Sequence, residues 1–306
     1  MLTSHTVVLV TNRINKLFIN KCFHKSFRSE SHLIRKKEIT DIFCTQDALR
    51  RLKPLNPVSL FISSRTDTGV HALSNSAHFD LQRRNDKPIF TENVLVDALN
   101  FHLRKEQIRV TSAHRVRDDF HARFCARSRT YVYRLALGIA HHADLPLTEG
   151  DLCWNLHNME LDVGAMREAA DVLVGTHDFS SFRAVSSDLP FKSPVKTLDV
   201  VNIRPGGSFA HAHFHRDIPF WELTFRSRSF LYRQVRRMTG ALVAVGQGKL
   251  SVPQVKALLE ARDSLAYANL LAAPPQGLFL TRVDYRETDL QLPQQTSEEQ
   301  PPTSVL

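Results

Sequence analysis

The sequence predicts an α+β fold built on a largely antiparallel sheet. Three observations carry that prediction. Segments with two-residue alternation come in groups, without the regular strand–helix–strand rhythm of a parallel sheet. Amphipathic helices with readable caps stand between the groups. The 42% apolar content of a 306-residue chain supplies a core for one large domain or two of ordinary size.

The clearest strands are "VSLFI" (58–62), "SNSAHFDL" (74–81), "IRVTSAHRV" (108–116), "SRTYVYRLAL" (128–137), "FWELTFRS" (220–227) and "GLFLTRVDY" (277–285). Alternation in the fourth sends Tyr131, Tyr133 and Leu135 to one face and Thr130, Val132 and Arg134 to the other. The first helix, "TENVLVDALNFHL", opens on Thr91 as N-cap and sets Val94, Leu95, Ala98 and Leu99 on one stripe. "LDVGAMREAADVLVG" starts at Asp162, buries Met166, Ala169, Ala170 and Leu173, and stops at Gly175. "SFLYRQVRRMTGALVAVG" aligns Leu231, Val235, Met238, Leu242 and Val245, and "SVPQVKALLEARD" is capped by Ser251 with Pro253 in its first turn. The polar stretch 138–151 is the best boundary between two halves.

Charge points outward to a partner. A net charge of +9 favours an anionic one, nucleic acid first, because Lys and Arg gain affinity from phosphates by releasing counterions. No apolar run is long enough to span a bilayer, so no membrane partner is expected. Cys22, Cys44, Cys125 and Cys153 are widely separated, which excludes a zinc ribbon or redox pair and fits a reducing compartment. Residues 1–29 carry Arg13, Lys16, Lys21, Lys25 and Arg28 with no acid, the composition of a mitochondrial presequence or of a basic structural extension. A mitochondrial location follows from the first reading, a cytoplasmic or nuclear one from the second. The Gln- and Pro-rich end, 287–306, reads as a disordered tail.

Phosphate-binding loops of the Walker and dinucleotide types are absent, and "GQGKL" after a helix has the wrong context for either. His211, His213 and His215 would share a strand face, but the preceding "RPGG" makes them a hairpin arm rather than a metal site. Aromatic and basic residues interleave in "THDFSSFRAVSS" and "SFLYRQVRR", a mixture suited to stacking bases and holding phosphates, although Phe179 and Phe182 are better read as core. Arg236 falls beside the apolar seam of its helix, where a charge is costly unless paired, and Asp67 is one candidate partner. Asp67 itself, in "SSRTDTGVHA", has two readings. It is a turn residue with Gly69 supplying a positive φ, or a carboxylate held at the end of a sheet for chemistry.

That segment resembles the signature of the tRNA pseudouridine synthase A family, essentially R-T-D-x-G-V-H-A. "FHARFCARSRTYVYR" (120–134), "LVGTHDFSSFRA" (173–184), "SPVKTL" (193–198), "SFLYRQVRRMTGALVAVGQGKL" (229–250) and "APPQGLFLTRVDY" (273–285) follow in the family's order. The resemblance spans about residues 44–285 and looks closest to the animal synthase-like members. It implies a pseudouridine synthase fold of two sub-domains, 44–140 and 141–286, whose sheets meet at a basic catalytic cleft. It also implies an isomerase that converts uridine to its C-glycoside in RNA, tRNA foremost and mitochondrial RNAs beside it, with no metal or coenzyme. Bacterial members form dimers, so a homodimer is one arrangement the resemblance allows.

By the resemblance Asp67 is the nucleophilic carboxylate. Tyr131 is the active-site tyrosine that stacks on the flipped uracil and takes part in removing its C5 proton, and Arg236 the arginine that pairs with the aspartate. Arg65 is associated with flipping the base, and Leu278 is the candidate for the apolar pocket wall, with Leu280 as the alternative. Two departures stand out. The family opens on a strand of the type Y-D-G-T-x-F-x-G-x-Q, and residues 1–43 contain nothing like it, "TQDALRRL" (45–52) being what remains of the following helix. Thr68 stands where relatives usually have Ala. The alternative to an enzyme is therefore an RNA-binding protein that lost catalysis with that strand.

Overall fold

The computed structural model describes residues 5–13, 40–83, 87–141, 144–157, 159–184, 193–208, 217–266 and 272–291. The family resemblance leaves the first strand in doubt, yet "HTVVLVTNR" forms one. Strand β1 (His5–Arg13) is inserted between β3 (His71–Leu81) and β4 (Ile108–Val116), antiparallel to both. Its Val-rich centre has high strand propensity without the family's wording. Helix α1 (Thr40–Arg51) and the short β2 (Phe61–Ile62) follow, so the strand expected over 58–62 is only its last two residues.

Helix α2 (Glu92–His102) is capped by Thr91 as expected, and buries Leu95 and Leu99. Val94 is the exception: at 52% exposure it lies outside the stripe, on the edge that turns to solvent. These helices close a smaller core in which Leu49, Phe79, Leu95, Leu99 and Val110 meet.

Strands β5 (Ser128–Ala136) and β6 (Trp154–Asn155) precede α3 (Val163–Leu173), whose N-cap Asp162 accepts a hydrogen bond from the Ala165 amide. The helix yields at Gly175 (φ 111°) to β7 (Gly175–Asp178), which pairs with β8 (Val195–Gly206). Then come β9 (Phe220–Ser227), α4 (Gln234–Gly246), α5 (Val252–Ala261), β10 (Leu278–Asp284) and a helical turn α6 (Glu287–Leu290), where a disordered tail was expected to begin. Residues 292–306, most of 1–29 and the histidines at 211, 213 and 215 lie outside the described residues. A full capping box joins Ser251 and Gln254 at the start of α5.

Among the described residues the strands form one sheet in the order β4-β1-β3-β10-β5-β9-β8-β7, with β2 on β3 and β6 on β5. The last long strand is the join. Strand β10 lies parallel to β3, pairing Phe279 with His71 and Leu280 with Ala72, and antiparallel to β5. The larger core gathers under α3, α4 and α5, with Tyr133, Phe179, Phe182, Leu223, Phe225, Met238 and Leu242 all fully buried. Phe179 and Phe182 are thus packing residues, as their spacing suggested. On the opposite face of β5, the Arg134–Glu149 ion pair is buried at 2.8 Å, and Arg134 also donates to the Leu152 and Gly207 carbonyls.

Candidate active site

Asp67 lies in the loop between β2 and β3. The Asp67 carbonyl accepts from the Val70 amide at 3.0 Å, and Gly69 sits at φ 85°. This is a turn that needs a positive φ at its third residue, which glycine adopts without strain. The side chain does something else. Its Oδ2 lies 3.5 Å from Nη1 of Arg236, 169 residues away in the chain. At that length the contact is a loose ion pair rather than a charge-assisted hydrogen bond, which closes to about 2.8 Å.

Arg236 is held from behind. Its Nε donates to the Ala273 carbonyl at 2.7 Å, and its own carbonyl accepts from the Ala273 amide at 3.0 Å. Burial pulls its pKa down while Asp67 pushes it back up, and Arg233 nearby opposes the charge. The segment 273–277 anchors other parts of the site as well. Tyr133 donates its hydroxyl to the Pro274 carbonyl, and Pro275 packs against Gly69, where an added Cβ would stand 3.1 Å from the proline ring. His71 Nε2 lies 3.0 Å from two carbonyls, of Asp151 and Gln276, so that nitrogen must carry the proton. Gly277 admits the Tyr133 ring, since any Cβ there would fall 2.7 Å from it.

Tyr131 faces the same place from β5. Its ring meets Phe230 edge-on at 5.3 Å, and the Asp67 charge reaches it. Burial is the main reason its pKa is pushed up to about 12. Near neutral pH the phenol keeps its proton, so it can donate a hydrogen bond and offer a ring face, but is a poor base. Leu280 lies directly across from Tyr131 in the sheet, whereas Leu278 lies across from Tyr133, and both are buried. Arg65 is exposed on the loop two residues before the aspartate, and Thr68 is exposed one residue after it.

One residue that sequence reasoning quoted but did not single out is Arg129. Buried to 8% exposure, its guanidinium donates to Ser64 Oγ (3.0 Å), the Ser63 carbonyl (3.0 Å), the Arg123 carbonyl (2.9 Å) and the Arg228 carbonyl (2.5 Å). It ties together the loop leading to Asp67 and the turn leading to Phe230. The available signal was its place two residues before Tyr131 on an alternating strand, which puts it on the same face. Arg65, Arg123, Arg228 and Arg233 are exposed on the segments around these residues, the last with φ 56° and its guanidinium 5.0 Å from the Tyr232 ring. Such a site can bind a phosphodiester, stack a planar base and hold one ionised carboxylate at a sugar.

The chain is similar to known proteins along most of its length. A profile of the family described as "tRNA pseudouridine synthase" matches residues 169–286. The chain is 52% identical over 244 residues to "tRNA pseudouridine synthase-like 1" of Xenopus laevis, covering 79% of this chain and 81% of the relative. With the Homo sapiens protein of that name it shares 52% over 242 residues, 78% and 79% of the two chains. "tRNA pseudouridine synthase A" of Maricaulis maris is 42% identical over 229 residues, 75% of this chain and 82% of that one.

Proposed function

We infer, since the chain belongs to the tRNA pseudouridine synthase family, that it is an isomerase converting uridines of RNA, tRNA foremost, to pseudouridine with Asp67 as nucleophile. The observation that carries the assignment of the site is the pairing of Asp67 with Arg236 beside Tyr131, from three distant segments. The reaction moves atoms without gain or loss. The C1′–N1 bond of the nucleotide breaks, a C1′–C5 bond forms, the proton on C5 leaves and N1 receives one. Asp67 attacks C1′, or shields the cation that forms there, as uracil departs with the bonding pair. Arg236 keeps the carboxylate ionised and directed. The base turns over against the Tyr131 ring and C5 displaces the carboxylate. The C5 proton passes to a base of the same site, Tyr131 or the freed Asp67 carboxylate. Arg65, exposed on the loop, assists in flipping the base out.

The reading as an RNA-binding protein without catalysis rested on an absent first strand. With β1 between β3 and β4, that ground is gone. A mitochondrial location, with mitochondrial RNAs among the substrates, rests on the basic composition of residues 1–29. Because β1 lies inside that segment, the mature protein should retain residues 5–13. Organelle fractionation followed by N-terminal sequencing decides both points, and a cytosolic protein would sink the location.

The test of the activity is incubation with an unmodified tRNA transcript and chemical mapping of pseudouridine. Asp67→Asn should lower turnover by roughly three orders of magnitude or more while RNA binding persists. Undiminished turnover in that variant would remove Asp67 from the mechanism.

A further inference from the structure

The surface beside the catalytic loop carries aromatic rings that no core uses. Phe61, six residues ahead of Asp67, is 49% exposed, and Phe124 is 70% exposed. Two imidazoles connect them. Ring centroids lie 5.0 Å apart for Phe61 and His78, stacked at 20°, 4.6 Å for His78 and His121, 5.6 Å for Phe61 and His121, and 4.3 Å for His121 and Phe124. Both imidazoles are fixed in orientation. His78 Nδ1 accepts from the Ala122 amide at 3.2 Å, and His121 Nδ1 accepts from the Arg123 amide at 3.1 Å. Burial lowers the pKa of each, so both are neutral near pH 7, with the proton on Nε2.

The ledge lies along β3 from the active site, with Phe61 opposite His78 and Tyr131 level with Ala72, and Arg129 links the two. Phe61 lies two residues before Ser63, and the Arg129 guanidinium donates to the Ser63 and Arg123 carbonyls with one nitrogen and to Ser64 Oγ with another. At the outer end the Arg123 guanidinium carbon stands 5.9 Å from the Phe124 ring, in a chain of net charge +9. An enzyme that lifts a base from its stack leaves the neighbouring base with one bare face. An exposed aromatic row with a guanidinium at its edge offers that base a new stacking partner and its phosphate a counter-charge.

We propose that Phe61, His121 and Phe124 form a stacking ledge for an unpaired base of the RNA strand next to the reacting uridine, with Arg123 on its phosphate. This rests on the uridine-isomerising reading above, which supplies the flipped base. The ledge acts on binding and not on the chemical step. Its test uses the full chain, an unmodified tRNA transcript as probe, and a fully paired RNA duplex as control. Phe124→Ala should raise the Kd and KM for the transcript about tenfold, the loss of one stacked base, with kcat within twofold of the parent. Phe124→Tyr should bind like the parent, Phe124→Leu as weakly as the alanine variant, and duplex binding should not change. Phe61→Tyr and Phe61→Ala should repeat the contrast.

An unchanged Kd in both alanine variants overturns the ledge. So does Phe124→Leu binding as tightly as Phe124→Tyr, which would mark an apolar contact rather than ring stacking. If the parent binds the transcript but makes no pseudouridine, the assigned activity falls. The contrast between Tyr and Ala then still decides the ledge.

Discussion

Arg129→Lys separates a residue that positions the site from one that merely fills space. The guanidinium spans four acceptors on three segments, at 2.5–3.0 Å. An ammonium keeps the charge but radiates three donors from one point, and it cannot reach the Ser63, Arg123 and Arg228 carbonyls together. One or two buried acceptors are then stranded, at about 1–3 kcal/mol each, so stability should fall by roughly 2–4 kcal/mol. For a chain of this size each kcal/mol corresponds to about 2–4 °C, and the Tm should drop by something like 5–15 °C. Activity should fall further than that stability loss explains. The released segments carry Asp67 on one side and Phe230, the edge partner of Tyr131, on the other. A displacement of about 1 Å at a reacting group costs up to 100-fold, so kcat should drop about 10- to 100-fold with a smaller change in KM. The control is Arg134→Lys, an equally buried arginine whose partner Glu149 lies on the far side of the same strand. Both variants are assayed by single-turnover pseudouridine formation at a temperature where calorimetry shows them folded. Equal kcat in the two would show that Arg129 is structural only and would refute the positioning argument.

Gly69→Ala should cost about 1–2 kcal/mol of stability for the left-handed backbone, and more where its Cβ meets Pro275 at 3.1 Å. Gly248→Ala imposes a similar strain at φ 69° with nothing within 4 Å, at the far end of α4. Only the first should lower kcat, and a matching loss in both would dissociate Gly69 from the site. Tyr131 gives a prediction in pH. Its folded pKa of about 12 exceeds the free value of 10, so its contribution to stability is whole below pH 10 and is lost as pH rises toward 12, where the unfolded chain ionises first. Denaturant titrations between pH 9 and 11.5 should therefore show a shallower alkaline decline in Tyr131→Phe, by on the order of 1–3 kcal/mol. Identical slopes in parent and variant would contradict the assigned burial of the hydroxyl.

The local signals that proved readable were those written within one element. The caps at Thr91, Asp162 and Ser251, and the buried stripe of α3, follow from spacing alone. Strand β1 was not readable, because "HTVVLVTNR" has the propensity of a strand but none of the family's wording. The position of β10 was not readable either. A parallel neighbour for β3 that arrives some 200 residues later is fixed by which cores meet, which no local window contains. Phe61 and Phe124 look like ordinary core candidates in a sequence, and only exposure separates them from Phe179 and Phe182. Arg236 was legible through its cost, since a guanidinium on an apolar seam demands a partner. Asp67 shows why one residue supported two readings. Its carbonyl closes the turn with Val70, and its carboxylate faces Arg236. Backbone and side chain answer to different constraints, so the hairpin reading and the catalytic reading were never rivals. The turn is what holds the carboxylate out at the end of the sheet, and Gly69, packed on Pro275, is what ties that turn to the segment holding Arg236.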